Sequence, residues 1–517
     1  MNTLVILPVL VPLLAGALLL LAGRHARTWP GLVSGVAVVL QLLVALGLGL
    51  ATRDGAVLAY LVGNWAAPFG IALAVDRLTV ILLSLTAFLA LAGLLAGRDE
   101  KSDGLFHGLF QLQLFGLNGA FLTADLFNLF VFFEVLLCAS YALLLRGPDS
   151  QRFPAATHYV VINLLASSLF LVAVALLYGL LGTLNMADLA VRFAGAGAGD
   201  LPLVRSAGFL LLTVFAVKAA LLPLGFWLPG TYRAAPVAVS ILFVLMTKVG
   251  VYAVLRVSTL VFGQDGLAAG SLVIPPLLPL ALLTVGVAGF GAIAARDLRT
   301  LVSHLVIGSA GTLLLVVAIG SPASVAAGLF YLVHSTLGAA LLFAVAGLLI
   351  SQRGGRGDRL IAGGPDAGRA GTGALFLLGA LGMAGLPPLA GFIAKARLLD
   401  AVLSDVASPG WLTTVIAVVL GASLLTLFAL GRAGSTLFWK PASGPEPGPE
   451  PGGADRATIH GRQLAALLLL GAWLAVSAVP GPLLGYTTRS AEQLVEVGTY
   501  IDALLGQAPV GRGGDSP

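Results

Sequence analysis

Residues 126–145 read LFNLFVFFEVLLCASYALLL, an apolar stretch with one carboxylate, Glu134, near its middle. A transmembrane helix needs about 20 apolar residues because the hydrocarbon core of a bilayer is about 30 Å thick. A charge near the bilayer centre costs at least ~2.5–3.5 kcal/mol, so a chain that keeps one there is expected to use it. This stretch therefore predicts a membrane-spanning helix that carries a functional carboxylate.

The rest of the chain has the same apolar character. Of its 517 residues, 58% are hydrophobic and only 10% are charged, and the mean hydropathy is +1.02. Soluble proteins carry about 25% charged residues, so the soluble-enzyme classes are excluded. The basic pI of about 9.5 indicates Lys and Arg in cytoplasmic loops and does not indicate a nucleic-acid partner.

Successive apolar segments predict an all-α polytopic membrane protein with about 14 transmembrane helices. The first segment lacks a basic start and a small-residue cleavage site, so it is interpreted as a span. Loops on one side hold about three times as many Lys and Arg residues as loops on the other, which predicts both termini outside. The predicted spans are 4–22, 31–50, 71–97, 105–123, 126–145, 155–180, 207–228, 237–260, 272–294, 298–319, 325–350, 371–403, 411–438 and 463–484.

Two of these spans are interrupted by proline in a similar way. Residues 214–230 read VFAVKAALLPLGFWLPG, and residues 382–399 read GMAGLPPLAGFIAKARLL. Proline removes a helix hydrogen bond and frees carbonyl groups that lipid cannot satisfy. Paired broken helices are typical of an internal repeat with functional sites at the breaks, although each proline alone could simply kink a helix for packing.

The breaks predict how the chain is organised. Between the two repeats and the last span, the segment 440–462 is rich in Pro, Gly and Glu and cannot form a packed core. Before the first break, residues 184–194 (LNMADLAVRFA) are either a short amphipathic helix at the outer surface or a plain connector. The predicted units are an N-terminal three-helix segment (1–103), a first five-helix repeat (104–262), an inverted second repeat (263–439), a cytoplasmic loop (440–462), and the last span with a C-terminal tail (463–517).

Glu134 and Lys218 are the first candidates for proton transfer. A lone carboxyl in hydrocarbon is expected to stay protonated, and it ionises only beside a cation or water. If Glu134 pairs with Lys218, each stabilises the charged form of the other, and if they separate, each tends to become neutral. The pair is therefore a relay step controlled by geometry, or else a static ion pair that locks two helices.

Two further lysines lie inside predicted spans. Lys248 is in the middle of LFVLMTKVGVYAVLRV, and Lys395 follows the second break. Lysine suits a proton relay because its proton affinity falls readily on burial. The alternative for Lys395 is that its ammonium reaches the cytoplasmic side together with Arg397.

Histidines complete the predicted path. His304 and His334 lie along the chain between Lys248 and Lys395, and histidine changes its charge near neutral pH. His158, near the cytoplasmic end of its span, is a weaker candidate for the place where protons enter. Asp125, just before the fifth span, is expected to cap that helix. The only cysteine, Cys138, excludes an intramolecular disulfide, and the sequence has no metal-ligand cluster and no nucleotide-binding loop, so no cofactor is expected.

Four segments together resemble the antiporter-like membrane subunits. These segments are 124–145, 217–229 (VKAALLPLGFWLP), 245–256 (LMTKVGVYAVLR) and 385–399 (GLPPLAGFIAKARLL). The family includes the proton-pumping membrane subunits of respiratory complex I, those of membrane hydrogenases, and subunits of multisubunit Mrp-type cation/proton antiporters. The resemblance runs from about residue 75 to residue 439, and the sequence around Glu134 is most similar to the D-type subunit of Mrp antiporters.

The resemblance implies 14 helices, inverted five-helix repeats and a chain of buried proton carriers. Two positions depart from the family pattern, because Ser335 and Ala339 stand where many relatives have a second histidine and a lysine. The carriers that the resemblance supports are Glu134, Lys218, Lys248, His334 and Lys395, to which the residues themselves add His304.

The resemblance also implies what the protein does. The preferred function is a proton-translocating subunit of a multisubunit Na⁺/H⁺ antiporter in the bacterial inner membrane, with K⁺ or Li⁺ as other possible cations. Its partners would be the other subunits of the complex. The alternatives are a pumping subunit of a redox complex, of complex I or hydrogenase type, and a scaffold that transports nothing and only orders its partners.

Overall fold

The computed structural model describes residues 2–506 except 27, 98–102, 147–151, 196, 198, 263–269, 363–368, 407 and 442–455. Over those residues the chain forms nineteen α-helices and one two-stranded hairpin. The predicted all-α polytopic fold is therefore confirmed. The tail after residue 507 and most of the predicted loop 440–462 lie outside the described residues, and residues 456–462 of that loop belong to a helix.

The N-terminal segment contains three long helices and the hairpin. Strands β1 and β2 are antiparallel, with Leu58 opposite Val75. The third predicted span was wrong at its start because residues that were assigned to it form β2. Asp76 is extended and accepts a hydrogen bond from the Thr79 amide at 2.9 Å, which starts the helix after it. The elements are α1 (Leu7–Ala22), α2 (Pro30–Ala51), β1 (Leu58–Leu61), β2 (Ala72–Val75) and α3 (Arg77–Ala96).

The next seven helices include the first break. Asp125 caps its helix as predicted, since its carboxylate accepts from the Asn128 amide at 2.8 Å. The segment 184–194 contains a helix, which confirms the amphipathic alternative over the plain connector. The helices are α4 (Gly104–Leu122), α5 (Leu126–Leu144), α6 (Arg152–Leu181), α7 (Met186–Ala194), α8 (Leu201–Lys218), α9 (Trp227–Ala234) and α10 (Val237–Leu260).

The second half of the chain contains the second break. The last long helix of this group continues into a π-helical turn, Ser435–Trp439. The helices are α11 (Gly270–Ala294), α12 (Leu298–Ile319), α13 (Pro322–Gln352), α14 (Ala370–Ala384), α15 (Ala390–Asp405) and α16 (Pro409–Gly434).

Three helices follow the loop, where the sequence predicted a span and a tail. The predicted end of the last span was wrong, because Pro480 starts a new helix instead of continuing the old one. The two short helices after it pack on α3, α13 and α7. They are α17 (Arg456–Ala478), α18 (Pro480–Val495) and α19 (Val497–Leu505).

Twelve of the described helices are long and apolar enough to cross a membrane. α4 is not among these twelve, and its 19 residues include Gln111, Gln113 and Asn118. The two halves of the second break are each shorter than a span. The predicted total of about 14 spans stays a prediction.

α10 and α13 form the centre of the molecule. Their most apolar windows are 100% and 94% buried, and the two helices pack on each other. α6 contacts both halves of the first broken helix, α8 and α9, and α13 contacts both halves of the second, α14 and α15. Each break is therefore held against one long helix, which agrees with the predicted repeats, although their inverted relationship stays a prediction.

Candidate functional site: a buried line of charged side chains

The first break places a lysine at the end of a helix. α8 ends at Lys218, residues 219–226 are not helical, and α9 begins at Trp227. The Trp227 indole donates to the Val217 carbonyl at 3.2 Å, and the Leu222 amide donates to the Thr284 hydroxyl at 3.0 Å. Side chains thus satisfy backbone groups that the break leaves free, as an apolar environment requires.

Glu134 and Lys218 are joined through a serine. The Lys218 ammonium donates to the Ser167 hydroxyl at 3.1 Å, and that hydroxyl donates to the Glu134 carboxylate. Asn163, one turn earlier on α6, accepts from the same ammonium at 3.4 Å through its side-chain oxygen. The Phe133 ring lies 5.7 Å from the Lys218 nitrogen, within the range of a cation–π contact.

This arrangement corrects the simple ion pair that the sequence suggested. A hydroxyl that accepts from an ammonium and donates to a carboxylate can pass a proton from one to the other in a single concerted shift. Lys218 and Ser167 are each 4% exposed, while Glu134 is half-buried. Sequence reasoning missed Ser167 and Asn163, although their spacing puts both on one face of α6 and so offered a signal.

Lys248 is fully buried in α10. Its ammonium donates to the Ser309 hydroxyl on α12 at 2.6 Å. Among the described carboxylates, none lies within ion-pair distance of it. Gly250, two residues on, touches the first break so closely that an added Cβ would lie 2.4 Å from the Ala219 amide nitrogen. Lys218 and Lys248 therefore lie on directly packed backbones.

The second break holds Lys395 in a different way. The Lys395 ammonium reaches back to the end of α14 and donates to the carbonyls of Ala384, at 2.9 Å, and Met383, at 3.5 Å. The carbonyl end of a helix carries a partial negative charge that favours a cation. Arg397 instead lies 3.8 Å from Asp400, so the alternative in which Lys395 leaves for the surface with Arg397 is wrong.

A cavity of about 50 Å³ connects this second region to Lys248. Its walls come from α11, α12, α13, α14, α15 and α16, and it has room for a few water molecules, each of which needs roughly 10–15 Å³. Ser309 opens onto it and is the partner of Lys248. The polar residues that line it are His304, Ser309, Thr312, Tyr331, Lys395, Ser423 and Thr426.

The two predicted histidines lie in different surroundings. His304 lines the cavity and packs against Gly291 of α11. His334 is 1% exposed and does not line it; its Nδ1 accepts from the Trp473 indole at 3.0 Å, and its ring lies against Gly391 of α15. Because an indole nitrogen can only donate, this bond leaves the proton of a neutral His334 on Nε2.

His158 lies apart from these groups. It is exposed on α6, and its ring is 5.3 Å from the Phe226 ring at the end of the first break. Ser335 and Ala339, which stand where the family pattern has histidine and lysine, are both 1% exposed on α13. The Ser335 hydroxyl donates to the Leu332 carbonyl of its own helix at 3.4 Å.

A multi-helix membrane fold with lysines at two helix breaks and a buried carboxylate defines a class of membrane subunits. A family model described as NADH:quinone oxidoreductase/Mrp antiporter, TM, matches residues 123–424, and the chain belongs to this family.

Named relatives cover almost the whole chain. It is 37% identical over 541 residues to the D-type subunit of a probable K⁺/H⁺ antiporter from Rhizobium meliloti, covering 98% of each protein. It is 34% identical to the D-type subunit of an Na⁺/H⁺ antiporter from Alkalihalophilus pseudofirmus, covering 98% of this chain and 100% of that one.

Solved structures show the same fold. A chain of the Mrp complex from Dietzia sp. matches with a TM-score of 0.86 and 28% identity, over 98% of this chain and 100% of that chain. A chain of respiratory complex I from Thermus thermophilus matches with a TM-score of 0.77 and 26% identity, over 95% and 99%.

Proposed function

We propose that this chain is the proton-translocating subunit of a multisubunit monovalent cation/proton antiporter. The observation that carries the proposal is the serine bridge between the Glu134 carboxylate and the Lys218 ammonium at the first break. The bridge couples the charge states of two buried groups by a hydrogen-bonded path, which a proton carrier needs and a scaffold does not. Relatives that share more than 30% identity over almost all of the chain are named as antiporter subunits.

The path of the proton follows the contacts. A proton passes between Lys218 and Glu134 through Ser167, and the backbone contact at Gly250 brings this step next to Lys248. From Lys248 the path continues through Ser309 into the cavity, where His304 and water lead to Lys395. His334, held by Trp473, borders the path from the side of α17, and His158 is the candidate for the surface where protons enter.

The cation and the setting follow from the relatives. Na⁺ and K⁺ are the candidates because relatives at 34% and 37% identity are named for these two ions, and Li⁺ is a third by its chemistry. The partners are the other subunits of the complex, in the bacterial inner membrane, with both termini outside. The chain is organised as 1–103, the repeats 104–262 and 263–439, the loop 440–462 and the last unit 463–517.

The test removes each end of the bridge. In inverted vesicles that contain the whole complex, Glu134→Ala and Lys218→Ala are expected to abolish cation-dependent proton exchange while the complex still assembles. Cys138→Ala, an exposed position one turn after Glu134 on α5, is the matched control and is expected to transport normally. Wild-type exchange in both bridge variants would refute the proposal and favour the scaffold.

A second candidate is a proton-pumping subunit of a redox complex. It is favoured by the match to a chain of the membrane-bound sulfane sulfur reductase, with a TM-score of 0.86 and 25% identity. The proton path inside this chain would be the same, but electron transfer in partner subunits would drive it. Purification of the native complex decides, because redox subunits with the chain support this candidate and small antiporter subunits exclude it.

A further inference from the structure

A pocket of about 580 Å³ lies at one face of the molecule, away from the line of charged side chains. Several elements end at this pocket: α9, the turn between α11 and α12, the segment after α13, and α16. Because long apolar helices end here, the pocket lies at the depth of lipid headgroups. It is lined by Arg233, Ala294, Ala295, Arg296, Asp297, Arg359, Leu360, Ile361 and Arg432.

Backbone hydrogen bonds fix the wall of the pocket. Asp297 and Arg359 pair as an antiparallel bridge. On either side of it, the Leu298 amide donates to the Asp358 carbonyl at 3.0 Å, and the Leu360 amide donates to the Arg296 carbonyl at 2.9 Å. Segments from two distant parts of the chain are therefore held in one register, so the spacing of their arginines is set by the fold.

The pocket carries an excess of positive charge. Its lining holds four arginines and one carboxylate. Arg233 pairs with Asp297 at 3.1 Å, and Arg432 donates to the Ala295 carbonyl at 2.8 Å. Within the described part of the chain, the guanidinium groups of Arg296 and Arg359 have no hydrogen-bond or ion-pair partner, and both residues are exposed. These two groups are free to bind an anion.

We propose that this pocket binds the phosphate of an anionic phospholipid headgroup. The planar guanidinium fork matches the oxygens of a phosphate and binds it with two parallel hydrogen bonds. Ile361, which is 48% exposed, and the half-buried Leu360 line the same pocket and suit the glycerol and first methylenes of a lipid. Basic pockets between transmembrane helices at the headgroup level are known to take such lipids.

The bound lipid would join elements that belong to the proton path. Arg233 is at the end of α9, the second half of the first broken helix, and Arg432 is on α16, which forms one wall of the cavity. One phosphate would hold these ends together at the membrane surface. The site is independent of which cation is exchanged.

Lipid titration of the purified complex tests the proposal. Native mass spectrometry would count phosphatidylglycerol and phosphatidylcholine of the same acyl chains on the intact complex, with and without inorganic phosphate. We expect phosphatidylglycerol to bind preferentially, and Arg296→Ala with Arg359→Ala to weaken its binding at least tenfold. Replacing both residues by lysine keeps the charge but loses the fork, so we expect about a threefold loss.

The control is the double variant Arg53→Ala with Arg397→Ala, which removes two exposed arginines outside the pocket and is expected to bind lipid normally. Equal binding of both lipids, or unchanged binding by the alanine variant, overturns the proposal. If inorganic phosphate binds as tightly as the lipid does, the site serves a free anion and the lipid assignment is wrong. Loss of a partner subunit with unchanged lipid binding would show a subunit contact instead.

Discussion

Two buried pairs of opposite charge in this protein are held in opposite ways. Arg256 lies 2.6 Å from Asp76, with both side chains at least 96% buried, and the Tyr252 and Tyr500 rings cover its guanidinium at 5.5 and 5.0 Å. Asp76 also caps α3. This pair is direct, enclosed and tied to the helix that carries Lys248.

The other pair is indirect. Between Glu134 and Lys218 stands the Ser167 hydroxyl, and Glu134 is only half-buried. A direct pair in a low dielectric keeps both charges, because neutralising one partner leaves the other as an unpaired charge. A bridged pair has a neutral state of comparable energy, in which the lysine is free of its proton and the carboxyl holds one. The static lock that the sequence offered as an alternative for Glu134 therefore exists, but between Asp76 and Arg256.

The largest expected effect breaks the direct pair. Arg256→Ala leaves Asp76 as an uncompensated buried charge, so we expect a loss of about 3–5 kcal/mol in the free energy of unfolding. Lys218→Ala should cost much less stability, because Glu134 can take up a proton when the lysine is gone. Thermal melting of the detergent-solubilised complex measures both. A melting temperature for Arg256→Ala close to that of Lys218→Ala would contradict the distinction.

The next effect sharpens the role of the bridge. Ser167→Ala removes the hydroxyl but keeps both charges, so we expect proton exchange to fall about tenfold, which corresponds to about 1.4 kcal/mol. Stability should change little, since each charged group can recruit water from the half-buried side of Glu134. The readout is the initial rate of exchange in inverted vesicles.

The matched control for the bridge is the next residue. Ser168→Ala removes an exposed hydroxyl that bonds only to the Leu164 carbonyl of its own helix, and it is expected to leave exchange unchanged. Equal losses in the two serine variants would mean that α6 itself, and not the bridge, was disturbed.

A smaller effect is expected at the second serine contact. Ser309→Ala removes the hydroxyl that accepts from Lys248, but water in the adjoining cavity can replace it, so we expect about a threefold loss of exchange. Ser303→Ala on the same helix, whose buried hydroxyl bonds to the Arg299 carbonyl, serves as the comparison and should transport normally. If Ser309→Ala loses more than Ser167→Ala does, the ranking of the two steps is reversed.

The smallest effect concerns a third pair, outside the spans. Burial opposes ionisation of Asp103, but hydrogen bonds from Arg146, at 2.8 Å, and from the Phe106 amide lower the pKa of this carboxyl below 3.8. A carboxyl with a lowered pKa stabilises the folded state above its unfolded pKa, and this stability is lost as the pH falls through the folded value. Arg146→Ala should therefore cost about 1 kcal/mol or less at pH 7.

Melting curves measured from pH 7 down to pH 3 test this last prediction. The difference between Arg146→Ala and the wild type should shrink as the pH falls, because Asp103 becomes protonated in both proteins. A difference that grows toward low pH would have the wrong sign for a carboxyl with a lowered pKa.

Much of the fold follows from local sequence. The long apolar runs predicted α5, α10 and α12 within a residue or so, since the cost of exposing polar backbone to lipid falls on each segment alone. The breaks at Pro223 and Pro387 were predicted for the same local reason. β2 was missed because residues 71–75 are as apolar as the helix that follows, and α18 and α19 because an amphipathic surface helix gives no span signal.

The candidate site was less predictable. Every charged member could be found, since an ionisable residue inside an apolar run stands out by itself. Their partners could not be found, because Ser167, Ser309 and the Ala384 carbonyl are ordinary residues until another helix brings an ammonium to them. The weakest expectation concerned His334, which sequence order placed between Lys248 and Lys395 and which the fold turns toward Trp473.

The sequence by itself determined that this chain lies in a membrane and which charges lie within it, because the cost of transferring a segment into lipid depends only on that segment. The tertiary structure alone decided what each charge does. Arg256 is locked by Asp76, Lys218 is linked to Glu134 by a hydroxyl, and Lys395 rests on the end of a helix. Such pairings depend on which helices pack together, and packing is settled by the shapes of surfaces far apart in the chain.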